Sequence, residues 1–285
     1  MTTPIPSGSP SPVPTAPSAS SGLAAFGHVW IIVLENTDAG RVTDGHDDPY
    51  LLGLIDRFGQ AAAYNGVARP SQPNYFALFS GSTQAVHDND DHDLTAPTIA
   101  DQIEASGRTW REYAENVPAG CFQGTSANGG RDGSGEYRRK HAPAISFTSI
   151  SGDPRRCAFI EDLTAFHPGD TDYAFIVPNQ CHAAHDCPLA DADTWLSGFV
   201  PPILDSTAYR DGGALFITFD EDAGDDPSGG HVATIVASPH VAPGTRSMTP
   251  YDHYSLLRTV EDAWGLECLA KACDARPMTD LFTVP

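Results

Sequence analysis

Four apolar runs stand out along the chain, and each contains β-branched residues. Continuous runs of this kind are typical of strands that are covered on both faces of a parallel sheet. The runs are HVWIIVLEN (residues 28–36), DYAFIVPN (172–179), GALFITFDEDAG (213–224) and HVATIVAS (231–238).

Amphipathic stretches follow three of these runs and predict helices. They are TIADQIEASG (98–107), DADTWLSGFVPPILDS (191–206) and YSLLRTVEDAWG (254–265). Strands that alternate with helices are typical of a sheet between helical layers. The sequence therefore predicts an α/β fold, a doubly wound and mostly parallel sheet with helices on both faces.

The first 25 residues differ from the rest, because they are rich in Pro, Ser, Thr and Ala and show no periodicity. This composition predicts a disordered tail over residues 1–25. Residues 26–285 are long enough to form one large domain with a sizeable core. Residues 120–156 are rich in Gly, Arg and Ser, and we expect an irregular segment there that carries part of the functional site.

Polar residues stand where the predicted strands end. Glu35 and Asn36 close the first run, Asn179 closes the second, and Asp220 and Glu221 close the third. In an open parallel sheet, ligands bind outside the carboxyl ends of the strands. Carboxylate and amide oxygens suit a hard divalent cation. We therefore predict a metal site at this edge, although a single acid at a strand end is usually just solvated.

A serine stands between two prolines, ahead of a short apolar segment, in ARPSQPNYFALFSGS (68–82). The ordinary interpretation is that Ser71 caps a helix, with Pro73 in its first turn. The alternative is a nucleophile, because a helix N-terminus attracts anions and a bound cation stabilises an alkoxide. The chain has no GxSxG motif, which argues against an α/β-hydrolase triad. We favour a metal-activated nucleophile at Ser71.

Histidines supply the remaining chemistry. A phosphoryl oxygen needs hydrogen-bond donors as charge develops, and a leaving alkoxide needs a proton. We predict that His141, in RRKHAP, and His185, in CHAAHDC, have catalytic roles. His253 stands at a predicted helix start, where a substrate contact and a structural capping role are equally supported.

The net charge is -21, which argues against nucleic-acid or anionic-membrane partners. The apolar runs are also too short to span a bilayer. Oligomeric state cannot be derived from the sequence.

The six cysteines form no CxxC pair. Their even number indicates disulfides and an oxidising compartment, with buried free thiols as the alternative. We predict the pairs Cys121–Cys157, Cys181–Cys187 and Cys268–Cys273. The chain shows no signal-peptide pattern, so either its signal sequence has been removed or the protein is cytoplasmic. The tail and the cysteines together favour the first alternative, and we therefore expect a secreted or cell-envelope protein whose signal sequence is absent from this chain.

Six stretches, taken in their order along the chain, form a recognisable set of motifs. They are HVWIIVLEN, RPSQPNYFALFSGST, YRRKHAP, FIVPNQCHAAHDC with DTWL, FITFDEDAG and DHYSLLRTVEDAWGL. Together they resemble the phosphoesterase family of bacterial acid phosphatases and phospholipase C-like enzymes, within the alkaline-phosphatase-like superfamily. The likeness extends from about residue 28 to residue 282.

This resemblance implies an α/β sandwich that hydrolyses phosphate esters through a covalent phosphoserine. By position, it implies one divalent metal ion (Ca, Mg, Mn or Zn) surrounded by Glu35, Asn36, Ser71, Asp220 and Glu221. It further implies that His141 and His185 contact the transferred phosphoryl group and that Asn74 shapes the turn or the phosphate pocket. Some relatives carry two aspartates where this chain has Asp220 and Glu221, which affects the coordination geometry.

The leading hypothesis is a secreted, metal-dependent phosphomonoesterase that acts on a phosphorylated small molecule or a lipid headgroup. A phospholipase C-type phosphodiesterase of the same fold is the first alternative, and a non-catalytic metal-binding module is the second. A sulfatase-like hydrolase is disfavoured, because its Cys/Ser-x-Pro-x-Arg pattern needs arginine where this chain has Tyr75.

Overall fold

A computed structural model of the chain describes residues 23–129 and 136–283. The tail predicted over residues 1–25 therefore lies almost entirely outside the described residues. The strands within the described ranges are β1 Val29–Leu34, β2 Gly59–Ala61, β3 Tyr64–Asn65, β4 Trp110–Ala114, β5 Ser126–Ala127, β6 Tyr137–Arg138, β7 Ile160–Glu161, β8 Tyr173–Val177, β9 Ala214–Phe219, β10 Thr234–Ala237, β11 Thr245–Ser247 and β12 Tyr251–Asp252.

Eight of these strands form one sheet in the order β11-β2-β10-β9-β1-β8-β4-β7. The pairs β1–β8, β1–β9, β4–β8 and β4–β7 are parallel, so the predicted fold class is confirmed. All six residues of β1 and all six of β9 are buried. These two strands are therefore the centre of the sheet and are covered on both faces, as their apolar sequences predict.

Strand β10 differs from the prediction, because it runs antiparallel to both of its neighbours. A parallel connection needs a crossover of a dozen or more residues, usually with a helix. Residues 220–233, which join β9 to β10, form a loop instead. The apolar sequence of β10 indicates its burial but carries no information about its direction.

Strand β4 has no counterpart in the predicted elements. Its sequence WREYA places Arg111 and Glu112 inside the strand, which hides the apolar pattern. Glu112 is nevertheless completely buried, and its Oε2 accepts a hydrogen bond from the backbone N–H of Ala144 over 2.9 Å.

The helices pack in two groups, α2 with α7 and α3 with α9. Asp193 of α7 accepts hydrogen bonds from the backbone N–H groups of Tyr50 and Leu51 in the first turn of α2. The α-helices in the described ranges are α1 Ala39–Asp44, α2 Pro49–Arg57, α3 Ser71–Ser80, α4 Ile99–Ala105, α5 Thr148–Ser151, α6 Pro154–Cys157, α7 Leu189–Leu204, α8 Thr207–Arg210 and α9 His253–Trp264.

The three predicted cysteine pairs are confirmed as disulfides. The pair Cys121–Cys157 encloses much of the segment predicted to be irregular, where the described residues form short strands, 3-10 turns and two short helices. The pair Cys181–Cys187 closes the loop after β8. No helix that the structure describes has the length and apolar character needed to cross a membrane.

Candidate active site

Strands β1 and β9 end side by side, with Leu34 opposite Phe219 in parallel register. The next residues, Glu35 and Asp220, therefore lie at the same edge of the sheet, and both are completely buried. The backbone N–H of Asn36 donates to Asp220 Oδ1 over 3.1 Å and joins the two strand ends. The structure thus brings these predicted metal ligands together, while metal binding itself stays a prediction.

Ser71 is the first residue of α3, and Pro70 occupies the cap position. The serine is 2% exposed, and its Oγ donates to Glu35 Oε2 over 3.1 Å. The same Oγ lies 3.4 Å from Glu221 Oε1. Its side chain therefore faces the carboxylates and does not cap the helix, so the capping interpretation of Ser71 is wrong.

Asn74 holds the turn that leads into α3. Its Oδ1 accepts hydrogen bonds from the backbone N–H groups of Val67 and Ala68, over 2.9 and 3.0 Å, and its Nδ2 donates to the Ala68 carbonyl. Of the two roles considered for Asn74, these contacts favour shaping the turn over binding phosphate. A substrate contact at Asn74 stays a prediction.

Tyr75 belongs to the site although the sequence reasoning assigned it no role there. It lies four residues after Ser71 on the same helix face, and its hydroxyl donates to Glu35 Oε1. Its ring stacks on His141 with the centroids 5.2 Å apart. Glu35 thus has one oxygen on Ser71 and the other on Tyr75, which fixes its orientation. The spacing of Ser71 and Tyr75 was the signal that could have found it.

The buried acids differ in their pKa values. Burial alone would raise the pKa of Glu35, but the neighbouring His141 and Lys140 lower it to about 2. Burial and the charges of Glu35 and Glu221 raise the pKa of Asp220 well above its usual range. Burial also raises the pKa of Glu221 to about 7, against the opposing effect of Arg69. The cluster therefore resists carrying three negative charges without additional positive charge.

His141 and His185 lie on the other side of Glu35. His141 Nε2 is 3.2 Å from Glu35 Oε1, and burial, opposed by Glu35, lowers its pKa to about 4. The rings of His141 and His185 are 5.6 Å apart. His185 is held on both nitrogens, since Lys140 Nζ donates to Nε2 over 3.1 Å and Nδ1 contacts Asp186 Oδ1 over 2.6 Å. Lys140 is therefore a positive group in direct contact with His185.

His253 lies behind the acids and not among them. It is completely buried, and both of its ring nitrogens are occupied. Nε2 donates to the carbonyl of Asp220 over 2.7 Å, and Nδ1 accepts from the Tyr64 hydroxyl over 3.0 Å. These contacts favour the structural alternative for His253, while the predicted substrate contact stays a prediction.

Arg69 is a second residue that the sequence reasoning missed. Its guanidinium lies 3.5 Å from Glu221 Oε1 and 2.6 Å from Asp222 Oδ1. Asp222 in turn lies against Gly230, where an added Cβ would fall 1.8 Å from Asp222 Oδ2. Arg69 therefore holds the loop after β9 so that Glu221 points at Ser71.

The donor set fits a divalent cation. Asp220 Oδ2 and Glu221 Oε2 are buried and have no hydrogen-bond partner among the described residues. Buried carboxylate oxygens of this kind need a cation or a proton. A second set shares one member, because ligand atoms of Glu35, His141 and His185 lie within 4.8 Å of one another. The oxygen-rich set suits Mg²⁺, Ca²⁺ or Mn²⁺, and the mixed set suits Zn²⁺.

Comparison with known families agrees with this geometry. A profile described as the phosphoesterase family matches residues 44–267. The chain belongs to this family. It is a phosphoric ester hydrolase, as the names of its curated relatives also indicate.

This phosphoesterase is similar to several curated proteins. It is 30% identical over 277 residues to a phosphatidylinositol-3-phosphatase of Mycobacterium tuberculosis, an alignment that covers 95% of this chain and 87% of the relative. It is 32% identical over 272 residues to a phosphate-repressible acid phosphatase of Penicillium chrysogenum, with 91% and 64% covered. A probable acid phosphatase of Kluyveromyces lactis is 31% identical, with 87% and 60% covered. This chain therefore spans somewhat under two thirds of these fungal relatives.

Solved structures support the fold of this phosphoesterase. A protein of the alkaline phosphatase superfamily from Vibrio parahaemolyticus aligns with a TM-score of 0.61 at 12% identity, covering 90% of this chain and 71% of that one. A phosphonate monoester hydrolase from Silicibacter pomeroyi aligns with a TM-score of 0.57 at 13% identity, covering 90% and 76%. At these identities, the likeness concerns the fold alone.

Proposed function

We propose that this phosphoesterase is a secreted or cell-envelope, metal-dependent phosphomonoesterase that forms a phosphoserine at Ser71. The observation that carries the proposal is the position of the Ser71 hydroxyl, within 3.4 Å of both Glu35 and Glu221 at the first residue of a ten-residue helix. Helix N-termini favour anions, because their free N–H groups and the helix dipole point at the ligand.

Glu35, Asn36, Ser71, Asp220 and Glu221 would hold one divalent cation, whose identity is open. When bound, this cation would stabilise the Ser71 alkoxide and neutralise charge on the phosphoryl oxygens. Tyr75 and Arg69 would keep Glu35 and Glu221 in orientation through the contacts described above.

The chain's own groups account for the bond changes. Ser71 Oγ gives its proton to Glu221 Oε1, 3.4 Å away, and attacks phosphorus, so that a new O–P bond forms and the bond from phosphorus to the ester oxygen breaks. His185 would give the departing alcohol oxygen its proton as an imidazolium, a form in which Nε2 carries the proton and no longer accepts the hydrogen bond from Lys140. Water then attacks the phosphoserine, releasing phosphate and regenerating the serine hydroxyl.

The names of the relatives support a phosphatase, and the relative that names a lipid substrate makes a lipid headgroup one candidate substrate. The three disulfides support an oxidising compartment. A phosphodiesterase or a non-catalytic module remains a defined outcome of the test below.

The test is hydrolysis of p-nitrophenyl phosphate and of bis-p-nitrophenyl phosphate, by wild type and Ser71→Ala, each with added divalent metal or with EDTA. Monoester turnover that disappears on chelation and in Ser71→Ala supports the proposal. Turnover of the diester alone would reassign the activity to a phosphodiesterase. Metal binding without turnover of either ester would identify a binding module.

A further inference from the structure

Lys140 is one of two lysines in the chain, and it lies beside the proposed catalytic histidine. Its Nζ donates a hydrogen bond to Nε2 of His185 over 3.1 Å. Among the residues that the structure describes, the Lys140 ammonium forms no ion pair with a carboxylate. It therefore keeps its positive charge and two of its three N–H donors for another partner.

The Lys140 ammonium also lies close to the buried acids around the nucleophile. Its partner His185 belongs, with Glu35, to a group of side chains whose ligand atoms lie within 4.8 Å of one another. Burial acts to raise the pKa of Glu35 and of Glu221, and the charge of Lys140 acts to lower both. These two acids contact the Ser71 hydroxyl over 3.1 and 3.4 Å. The charge of Lys140 therefore acts at the place where a phosphoryl group bound to Ser71 would lie.

The other basic side chains near this place are occupied or neutral. Arg69 forms ion pairs with two carboxylates of the loop after β9. Arg138 forms one with Glu136 over 2.9 Å. Burial lowers the pKa of His141 to about 4, so this side chain is neutral at pH 7. In the described part of the site, Lys140 is therefore the lysine or arginine that is free to meet a bound anion.

Lys140 can be reached from solvent. It is partly exposed, and together with His185 it lines a polar cavity of about 290 Å³. Asn89 lines the same cavity, and its Oδ1 accepts a hydrogen bond from the backbone N–H of Gln72 over 3.1 Å. Because Gln72 follows Ser71 directly in the chain, the cavity opens next to the nucleophile. A phosphate ester that approaches Ser71 through this cavity passes the Lys140 ammonium.

Phosphate monoesters and diesters differ in the group that Lys140 would meet. A monoester has three oxygens without a carbon substituent and a charge of about −1.5 to −2 at pH 7. A diester has two such oxygens and a single negative charge. An ammonium is a compact positive charge whose N–H groups form strong hydrogen bonds with phosphate oxygens.

We propose that Lys140 binds the phosphoryl oxygen that a diester lacks, and that it thereby makes this phosphoesterase selective for dianionic monoesters. This inference rests on the proposed phosphomonoesterase activity. It assigns Lys140 a contact with the substrate in addition to its contact with His185.

The test compares p-nitrophenyl phosphate with bis-p-nitrophenyl phosphate at pH 7, in the metal-loaded wild type and in Lys140→Met. The variant removes the charge and keeps an unbranched side chain. We expect kcat/KM for the monoester to fall at least about tenfold, and the monoester-to-diester ratio at least about fivefold, because a charge-assisted hydrogen bond is lost. Both esters release p-nitrophenol, so a lysine that merely held His185 would affect both alike.

Binding of phosphate gives a second readout that needs no turnover. Calorimetric titration of the metal-loaded protein compares inorganic phosphate with dimethyl phosphate, which has one negative charge. In Lys140→Met, we expect the Kd of inorganic phosphate to rise at least about tenfold and that of dimethyl phosphate to rise less than about twofold.

Two further variants serve as controls. Lys140→Arg keeps the positive charge, and we expect it to retain most of the preference for the monoester. Lys271→Met replaces the other lysine, which is exposed and lies 5.3 Å over the ring of Tyr254. Its ester ratio and its phosphate affinity should equal those of the wild type.

Failure of this inference and failure of the proposed function give different results. If the wild type hydrolyses the monoester but Lys140→Met keeps the wild-type ratio and phosphate affinity, Lys140 does not bind the phosphoryl group and the phosphomonoesterase proposal stands. An equal loss with both esters would assign Lys140 to the positioning of His185 and would also overturn the inference. If the metal-loaded wild type hydrolyses neither ester, or the diester alone, the proposed function itself fails.

Discussion

The Oγ of Ser71 lies 3.1 Å from Oε2 of Glu35, although 36 residues separate them in the chain. The strand end brings the carboxylate and the helix start brings the hydroxyl, so the contact needs both elements in place. At the start of this helix, a buried serine hydroxyl lies between two buried carboxylates. A cation bound to all three groups would explain why they lie together. The predictions about this site begin from that contact.

Ser71→Ala should reduce phosphomonoester turnover by at least about 1,000-fold, because the proposed covalent step has no other hydroxyl acceptor at this position. The change should lower the free energy of unfolding by only about 1–3 kcal/mol, since the Ser71 side chain makes no capping bond and its loss removes only the hydrogen bond to Glu35. The measurement is p-nitrophenyl phosphate hydrolysis beside a thermal melt.

Ser80→Ala offers a matched control at the other end of the same helix. Ser80 is also 2% exposed, and its hydroxyl donates to the carbonyl of Phe76 over 2.8 Å. We expect this variant to keep most of its activity. Equal activity in Ser71→Ala and Ser80→Ala would remove Ser71 from the mechanism.

Asp220→Asn should weaken divalent-metal binding far more than it weakens folding. The Asp220 carboxylate is completely buried beside Glu35 and Glu221. Its replacement removes a negative ligand for the cation, which weakens metal binding. In the metal-free protein, it also removes the repulsion between Asp220 and the other two carboxylates, so folding is affected less. Calorimetric titration with Mg²⁺, Ca²⁺, Mn²⁺ and Zn²⁺ measures the affinity, and the metal-induced rise in Tm gives a second readout.

Asp225→Asn is the control for charge, because Asp225 lies in the same acidic loop but is exposed. Its metal affinity should match that of the wild type. Undiminished affinity in Asp220→Asn would contradict the oxygen-rich metal site and favour the alternative set formed by Glu35, His141 and His185.

Some residues of this site can be predicted from the sequence and others cannot, because they lie on different kinds of structural element. Glu35 and Asp220 follow apolar strands that pair in parallel register, so the strand-end rule is enough to place them together. His141 and His185 arrive through a 3-10 turn and a disulfide-closed loop, which no periodicity specifies. Their assignment depended on the chemistry expected of histidines and on the resemblance, not on any predicted element.

The fold could also be predicted from the sequence only in part. The runs that became β1, β8, β9 and β10 are continuous and apolar, and burial follows from that pattern. Direction does not follow from it, which is why the reversed β10 escaped prediction. β4 was hidden for a different reason, because its buried Glu112 reads as a surface residue in the sequence.

Tyr75→Phe should lower metal affinity and kcat by roughly 10- to 100-fold while keeping the fold, the size seen when a residue that orients a ligand is lost. The hydroxyl that donates to Glu35 disappears, but the ring can still stack on His141. Metal titration is the discriminating measurement, because a purely structural role would change Tm and leave metal affinity unchanged. An unchanged affinity would argue against orientation of Glu35 by Tyr75.

The free energy of unfolding should fall as the pH rises from about 4.5 to about 8, in part because of Glu112. Burial raises the pKa of Glu112 to about 8, and the ordinary value is 4.5. Between these values the folded protein keeps a proton that the unfolded chain releases, so unfolding becomes easier as the pH rises. One such group contributes a slope of at most about 1.4 kcal/mol per pH unit.

Glu112→Gln should flatten this dependence, because glutamine stays neutral in both states. Urea unfolding at pH 5.5 and pH 8 measures the difference, with the exposed Glu267→Gln as the control that should keep the wild-type slope. Glu112→Gln should still keep part of the pH dependence, since burial also raises the pKa of Glu261 to about 8. A variant whose stability falls with pH as steeply as that of the wild type would show that Glu112 is already ionised in the folded protein.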